Sequence, residues 1–384
     1  MAFNPALRGR QVANDTKKDF LNRTILYDTH VALGARMAPF GGYDMPIQYT
    51  GIIREHRAAR EAAAIFDTCH MGEFRITGEG AATDLEAVLS CPVASIRTGR
   101  CRYGFITNET GGVIDDQILY RMGEKEFFMV VNASTEPNDF AWLCAHLSAA
   151  TQIKNLSAET AKLDLQGPGS PEIMRRLMEL PIDGMNYYTW AKNRYRGREV
   201  LLSRTGYTGE IGFEIYSPND CCRAIWDECL ALGAMPAGLG CRDTLRLEMG
   251  LPLYGHELDE KTNAAESGLR RSIAVDKKFI GSSAILDPAQ TRRLLVGIAL
   301  EGRRAARHGD RIHDAAGREK GVITSGSFSP SLGYAIALGY VALDASAPGT
   351  ALTILADRQE LAGRVTGVPF YKRATGRADL RNFL

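Results

Sequence analysis

The residues best placed to do chemistry are two adjacent carboxylates, Asp115 and Asp116, which close the run Gly-Gly-Val-Ile-Asp-Asp at 111–116. From Val113 to Tyr120 the chain is rich in strand formers, and strand side chains alternate between faces. Alternation puts Ile114, Asp116, Ile118 and Tyr120 on one face and Asp115, Gln117, Leu119 and Arg121 on the other. This predicts Asp116 on the apolar face and Asp115 as its solvated neighbour. A carboxylate among isoleucine and tyrosine needs either a partner or a chemical role. A second apolar run, Phe127 to Val131, ends at Asn132, and Gly123 between the runs marks a hairpin turn. With the turn centred near Glu124, cross-strand partners sum to about 248, which sets Asn132 opposite Asp116. A slip of one residue would undo that pairing. Two readings of Asp116 stand: a solvated edge carboxylate, or a carboxylate with a role whose partner is Asn132.

Two further segments carry candidate charges. Glycines at 206, 209 and 212 give Gly-x-x-Gly-x-x-Gly rather than the dinucleotide Gly-x-Gly-x-x-Gly, and they join two strands instead of opening a helix. A tight strand-to-strand connection fits them better. Just beyond, alternation separates Glu214 from Phe213 and Ile215, as a surface carboxylate or a site residue. A helix begins near Cys241-Arg242. A cation in the first turn opposes the helix dipole, so Arg242 has a specific anion to hold, either a structural partner or a ligand.

The elements around these residues are short and mixed. Helical spacing runs from Pro46 to Ala64, Ala81 to Ser90, Glu136 to Ala149, Pro171 to Met178 and Cys221 to Leu232, with Trp226 and Leu230 inward. Strand patterns fall at 73–77, 103–132, 163–165, 187–205 and 211–216. Their order lacks regular βα alternation, which predicts an α+β fold with antiparallel sheets. After Pro288 helix signals fade. Strands near 295–300, 321–325, 335–341 and 351–355 predict a separate all-β barrel or sandwich.

Charge and composition narrow the function class. With 46 basic and 45 acidic residues, bulk charge offers no basis for nucleic-acid binding. No apolar run is long enough to span a bilayer as a helix. The eight cysteines form no Cys-x-x-Cys pair, and several sit in apolar runs, so a reducing, cytoplasmic-type compartment is expected. The seven histidines show no metal-ligand spacing, so no metal is expected. The polar, mildly basic residues 1–23 lack a signal core, and Asp15 and Asp19 count against a transit peptide. They read as a loose arm or an extra short helix.

Six segments, in order, resemble the aminomethyltransferase family, the T-protein of the glycine cleavage system. They are Gly-Ala-Arg-Met-Ala-Pro-Phe-Gly-Gly-Tyr-Asp-Met-Pro-Ile-Gln-Tyr at 34–49, Phe-Asp-Thr-Cys-His-Met-Gly-Glu at 66–73, and Thr-Asn-Glu-Thr-Gly-Gly-Val-Ile-Asp-Asp at 107–116. Ser-Arg-Thr-Gly-Tyr-Thr-Gly-Glu at 203–210, Arg-Asp-Thr-Leu-Arg-Leu-Glu-Met-Gly-Leu-Pro-Leu-Tyr-Gly-His-Glu-Leu-Asp at 242–259 and Thr-Ser-Gly-Ser-Phe-Ser-Pro-Ser-Leu at 324–332 complete the series. The resemblance runs from about Leu26 to Phe370. The chain departs from it at Tyr43, where the family often has tryptophan, and at Cys69, where it often has serine.

Beyond the N-terminal arm at 1–23, the resemblance implies a tetrahydrofolate-binding catalytic region of two intertwined α+β subdomains at 24–290 and a C-terminal β-barrel or jelly-roll domain at 291–384. It implies one-carbon transfer from the aminomethyl-lipoyl arm of the glycine cleavage H-protein to tetrahydrofolate, with release of ammonia. By the same resemblance Asp116 is the catalytic residue and Asn132 holds the pterin edge. Glu214 and Arg242 contact folate, Met71 and Tyr103 line the folate pocket, and Tyr207 is a wall. Tyr187 and Lys192 fall where the family has further pocket residues. A folate-dependent demethylase of a small methylated compound and a non-catalytic folate-binding protein are the alternatives; the second typically lacks the paired aspartates.

Overall fold

In a computed structural model, which describes residues 21–357 and 359–384, the aspartate-bearing run is the strand Val113–Arg121. It is the second strand of a five-stranded antiparallel sheet. Across that sheet the order is Cys101–Thr107, Val113–Arg121, Glu126–Val131, Gly72–Thr77 and Gln152–Asn155. The hairpin pairs Ile118 with Val130 and Tyr120 with Phe128, the register that the turn near Glu124 requires. Most of the arm expected at 1–23 lies outside the described residues.

A second sheet has six strands in the order Trp190–Tyr195, Arg198–Ser203, Gly212–Pro218, Thr160–Gln166, Ala64–Asp67 and Met235–Pro236. Only the last pair is parallel. The helices Ser170–Leu177 and Asn219–Ala231 cover one face, burying Leu163, Leu165, Phe213, Ile215 and Trp226 with Ile173 and Met174. The helices Ala81–Val88 and Glu136–His146 do the same for the first sheet, over Phe74, Ile76, Leu119, Phe127 and Met129. The uncovered faces meet each other. Tyr120, Phe128 and Val130 from the first sheet pack there with Tyr216 and Leu201 from the second, and with Met71, Tyr188 and Trp190.

This layering corrects the expected faces of the 113–121 strand. Asp116, Ile118 and Tyr120 do share a face, the one between the sheets. The opposite face is no wetter: Asp115, Gln117 and Leu119 lie under the helices, and Asp115 is fully buried. Ile114 leaves the Asp116 face because a bulge intervenes: Ile106 pairs with Asp115, but Thr107 pairs with Val113. The helix expected from Pro46 is also shorter. Tyr43–Gln48 pairs with Arg36–Phe40 as a separate hairpin, and the helix is Ile52–Glu61.

Residues 293–366 form a closed antiparallel barrel of six strands. Two of these, Arg311–His313 and Gln359–Thr366, give little signal in sequence: one has three residues, the other carries charges and Gly363. Helix Leu239–Glu248 fastens the barrel to the sheets. Its buried Arg246 donates to Glu257 at 2.9 Å and to Ser325 of the barrel at 2.7 Å. The chain then leaves the barrel and returns to the sheets. Gly376 N–H donates to the Gly209 carbonyl at 2.8 Å, and Leu380 is buried in the core of the six-stranded sheet.

Candidate active site

Asp116 sits where the two sheets face each other, and two donors fix its carboxylate. The Asn132 amide Nδ2 donates to one oxygen at 2.8 Å, and the Tyr103 hydroxyl donates to the other at 2.9 Å. Tyr103 comes from the strand Cys101–Thr107, on the other side of Asp116 from Asn132. The same Asn132 amide donates to Asp115 at 2.7 Å, and the Asn132 backbone N–H donates to Asp115 at 2.9 Å. One asparagine thus bridges both aspartates. Burial pushes the Asp116 carboxyl up to about 7, and the negative charge of Asp115 adds to the lift. The Tyr103 and Asn132 hydrogen bonds oppose it. A carboxylate near neutrality is suited to exchange a proton with a bound nitrogen.

The second sheet supplies three charges and the helix Leu239–Glu248 a fourth. Glu214 is buried and accepts from Lys162 Nζ at 2.6 Å and from the Thr205 hydroxyl. Burial pushes its carboxyl up, but the Lys162 charge and hydrogen bond outweigh this and hold it below the ordinary value. Asp164 lies directly across from Glu214 in the sheet and is ion-paired with Arg242. Arg242 projects from the first turn of its helix between the rings of Tyr207, 5.0 Å from its guanidinium carbon, and Phe66, 5.9 Å away. The anion that Arg242 holds within the chain is therefore Asp164. The burial cost of these charges is met by pairing, two anions against two cations.

The glycine loop at 206–212 sets this corner. A side chain at Gly206 or Gly212 would strike the Gln166 amide, 2.3 and 2.5 Å from the added carbon. Gly209 adopts a left-handed φ of 83°, where an added carbon would meet Met249. The loop thereby places Thr205 beneath Glu214 and lets the Tyr207 hydroxyl reach the Pro252 carbonyl.

Asp116, Tyr103 and Asn132 are joined directly, and Glu214, Arg242 and Tyr207 form the facing group. Met71 is half-buried in the apolar cluster between the sheets. Tyr187 stands at the margin, its ring 4.8 Å from that of Tyr188 and 5.8 Å from the Arg377 guanidinium. Lys192 is not joined to either group. It lies on the edge strand Trp190–Tyr195, 61% exposed, and pairs with Glu199 at 3.0 Å. Lys162, Asp164 and Tyr188 carry parts of the arrangement that sequence reasoning missed. The first two had a signal: Lys162, Asp164 and Gln166 occupy alternate positions of one strand whose other face is apolar. Tyr188 had none; its backbone is in the left-handed region, φ 60°, which bulky residues seldom adopt.

Two family descriptions match the chain: the GCVT N-terminal domain over residues 26–277 and the glycine cleavage T-protein C-terminal barrel domain over 293–372. The chain belongs to the glycine cleavage T-protein family. An aminomethyltransferase of Halothermothrix orenii is 41% identical over 357 residues, covering 91% of this chain and all of that protein. One of Geobacillus kaustophilus is 38% identical, covering 92% of this chain and again the whole relative. The crystal structure of the glycine cleavage system aminomethyltransferase T from Bartonella henselae superposes with a TM-score of 0.87 at 31% identity, over 92% of this chain and 99% of that one. T-protein architecture thus accounts for the two sheets, the covering helices and the barrel together.

Proposed function

We propose that this chain is the aminomethyltransferase of a glycine cleavage system, moving the one-carbon unit from aminomethyl-lipoyl H-protein to tetrahydrofolate. The carrying observation is Asp116, a carboxyl held by Asn132 and Tyr103 where the two sheets face each other and lifted to about 7. In the transfer, two bonds at the migrating carbon break, to ammonia and to the lipoyl sulfur. Two form to folate nitrogens, which give up a proton each. One proton ends on ammonia and the other on the lipoyl thiolate, so the step balances without an oxidant or reductant.

Within this reading Asp116 takes the proton from an attacking folate nitrogen, and Asn132 and Tyr103 hold the carboxylate oxygens toward it. Glu214, kept ionised by Lys162, accepts hydrogen bonds from a pterin edge. Arg242, with Asp164 behind it, and Tyr207 form the cationic wall, while Met71 and the Tyr187–Tyr188 pair supply apolar contact. Lys192 belongs at most to the outer rim. No helix among the described residues is long and apolar enough to cross a membrane. All eight cysteines are free thiols, which supports a reducing, cytoplasmic compartment.

The test is ammonia release from aminomethylated, lipoylated H-protein with and without tetrahydrofolate. Folate-dependent release supports the transferase. Methyl transfer from a small methylated donor without ammonia would establish the demethylase instead, and folate binding with neither reaction would leave a binding protein.

A further inference from the structure

A third carboxyl, Asp139, lies behind the aspartate pair and has no part in the scheme above. It is in the first turn of helix Glu136–His146 and is fully buried. Neither of its side-chain oxygens has a hydrogen-bond partner of standard geometry among the described residues. The groups it faces are Asp115 and Thr135, with Asp116 beyond. Tyr254 closes the cluster from the 251–259 segment, which also brings Asp259 near, with Glu260 beside it. Among the described residues, no hydrogen bond or salt bridge joins a cationic side chain to any of the three carboxyls.

Three like charges cannot share a buried cluster without a paired cation, so at least one carboxyl stays neutral. The distribution of donors says which. Asn132 gives two hydrogen bonds to Asp115 and one to Asp116, and Tyr103 gives one more to Asp116. No hydrogen bond of standard geometry reaches Asp139, since the nearby Thr135 hydroxyl donates to the Asn132 carbonyl at 3.1 Å. A buried carboxyl without donors must carry its own proton, and a neutral acid is itself a donor.

We propose that Asp139 is a positioning residue for proton transfer: as a neutral acid it donates its O–H to Asp115, fixing Asp115 as the anion that orients Asn132 and, through Asn132, Asp116. Burial first and then the charge of Asp115 push the Asp139 carboxyl up to about 10, in line with that state. The proposal rests on Asp116 being the carboxylate that handles the proton.

Two variants of the full-length enzyme and two readouts test it. Asp139→Asn keeps a neutral donor toward Asp115; Asp139→Leu removes it. In carboxyl-carbon NMR of aspartate-labelled protein, the wild type should show a carboxyl still protonated at about pH 8, far above the ordinary range, and Asp139→Asn should lack that signal. Persistence of the signal in Asp139→Asn overturns the proposal without reference to activity. In the pH profile of ammonia release, Asp139→Asn should keep the midpoint of the acid limb. Asp139→Leu should move it down by about one unit, because Asp115, left with only the Asn132 donors and an apolar side chain against it, takes up a proton and stops repelling charge on Asp116. A comparable downward move in Asp139→Asn would mean that Asp139 is charged, and a folded Asp139→Leu with an unmoved midpoint would mean that it positions nothing; either result overturns the proposal. Should Asp139→Leu not fold, the NMR signal and the Asp139→Asn profile decide. An Asp116→Asn variant with full turnover would instead defeat the reading of Asp116 and leave the NMR test standing.

Discussion

Replacing Asp116 by asparagine should make the protein more stable and the enzyme nearly inactive. Folding raises this carboxyl from 3.8 to about 7, mainly by burial and then by the charge of Asp115. At about 1.36 kcal/mol per pH unit, ionising it in the folded chain costs roughly 4 kcal/mol relative to the unfolded chain. The sign follows from linkage: between the two values the folded state binds the extra proton, so stability falls as pH rises from about 4 to 7. Asparagine removes that slope. Its carbonyl can accept from Asn132 and its amide can donate to the Tyr103 oxygen, so the hydrogen-bond loss is about 1 kcal/mol. The net expectation is a variant more stable than wild type by about 2–3 kcal/mol at pH 8 and nearly equal to it at pH 5. Urea unfolding of both proteins at the two pH values measures this, since titrating groups away from the aspartate cluster cancel in the comparison. Turnover in the ammonia-release assay should fall by about 10²–10⁴, the usual contribution of a positioned base. Equal pH dependence of stability in the two proteins would refute the argument from burial, and turnover within about threefold of wild type would refute the role.

Two neighbours of Asp116 should move the acid limb of the pH profile in opposite directions. Tyr103→Phe removes a hydrogen bond that favours the charged form, so the midpoint should rise by about one unit. Asp115→Asn removes the repelling charge, so it should fall by a similar amount; an unchanged midpoint would return Asp115 to the solvated role that its burial denies. Lys162→Met leaves Glu214 buried and unpaired and should cost about 3–5 kcal/mol by chemical unfolding, partly restored by adding Glu214→Gln. A loss below about 1 kcal/mol would show that Glu214 is hydrated rather than held by Lys162.

The hairpin that carries the aspartates was legible because it is local. Residues 113–132 contain both strands and their turn, so counting from Glu124 suffices to bring Asn132 to Asp116. The resemblance of six ordered motifs carried the family in the same way, since motif order is a property of the chain. The barrel was legible as an all-β segment, but its closure was not, because a three-residue strand leaves almost no pattern.

Other features depend on what lies above and below a strand. Period-2 alternation separates Asp115 from Asp116, yet it cannot say which face a helix layer will cover, and the bulge at Ile114 shifts the phase besides. Lys162 and Glu214 stand 52 positions apart, and Asp164 and Arg242 stand 78 apart. Such pairings arise only when separate strands and a helix are packed together, since burial makes an unpaired charge costly and so selects the partner. The sequence by itself determined the family, the antiparallel α+β plan and the Asp116–Asn132 contact, all consequences of local periodicity and motif order. Tertiary structure alone decided that Asp115 is buried, that Lys162 and Asp164 balance Glu214 and Arg242, and that Asp139 faces the aspartate pair, because desolvation is set by neighbours in space.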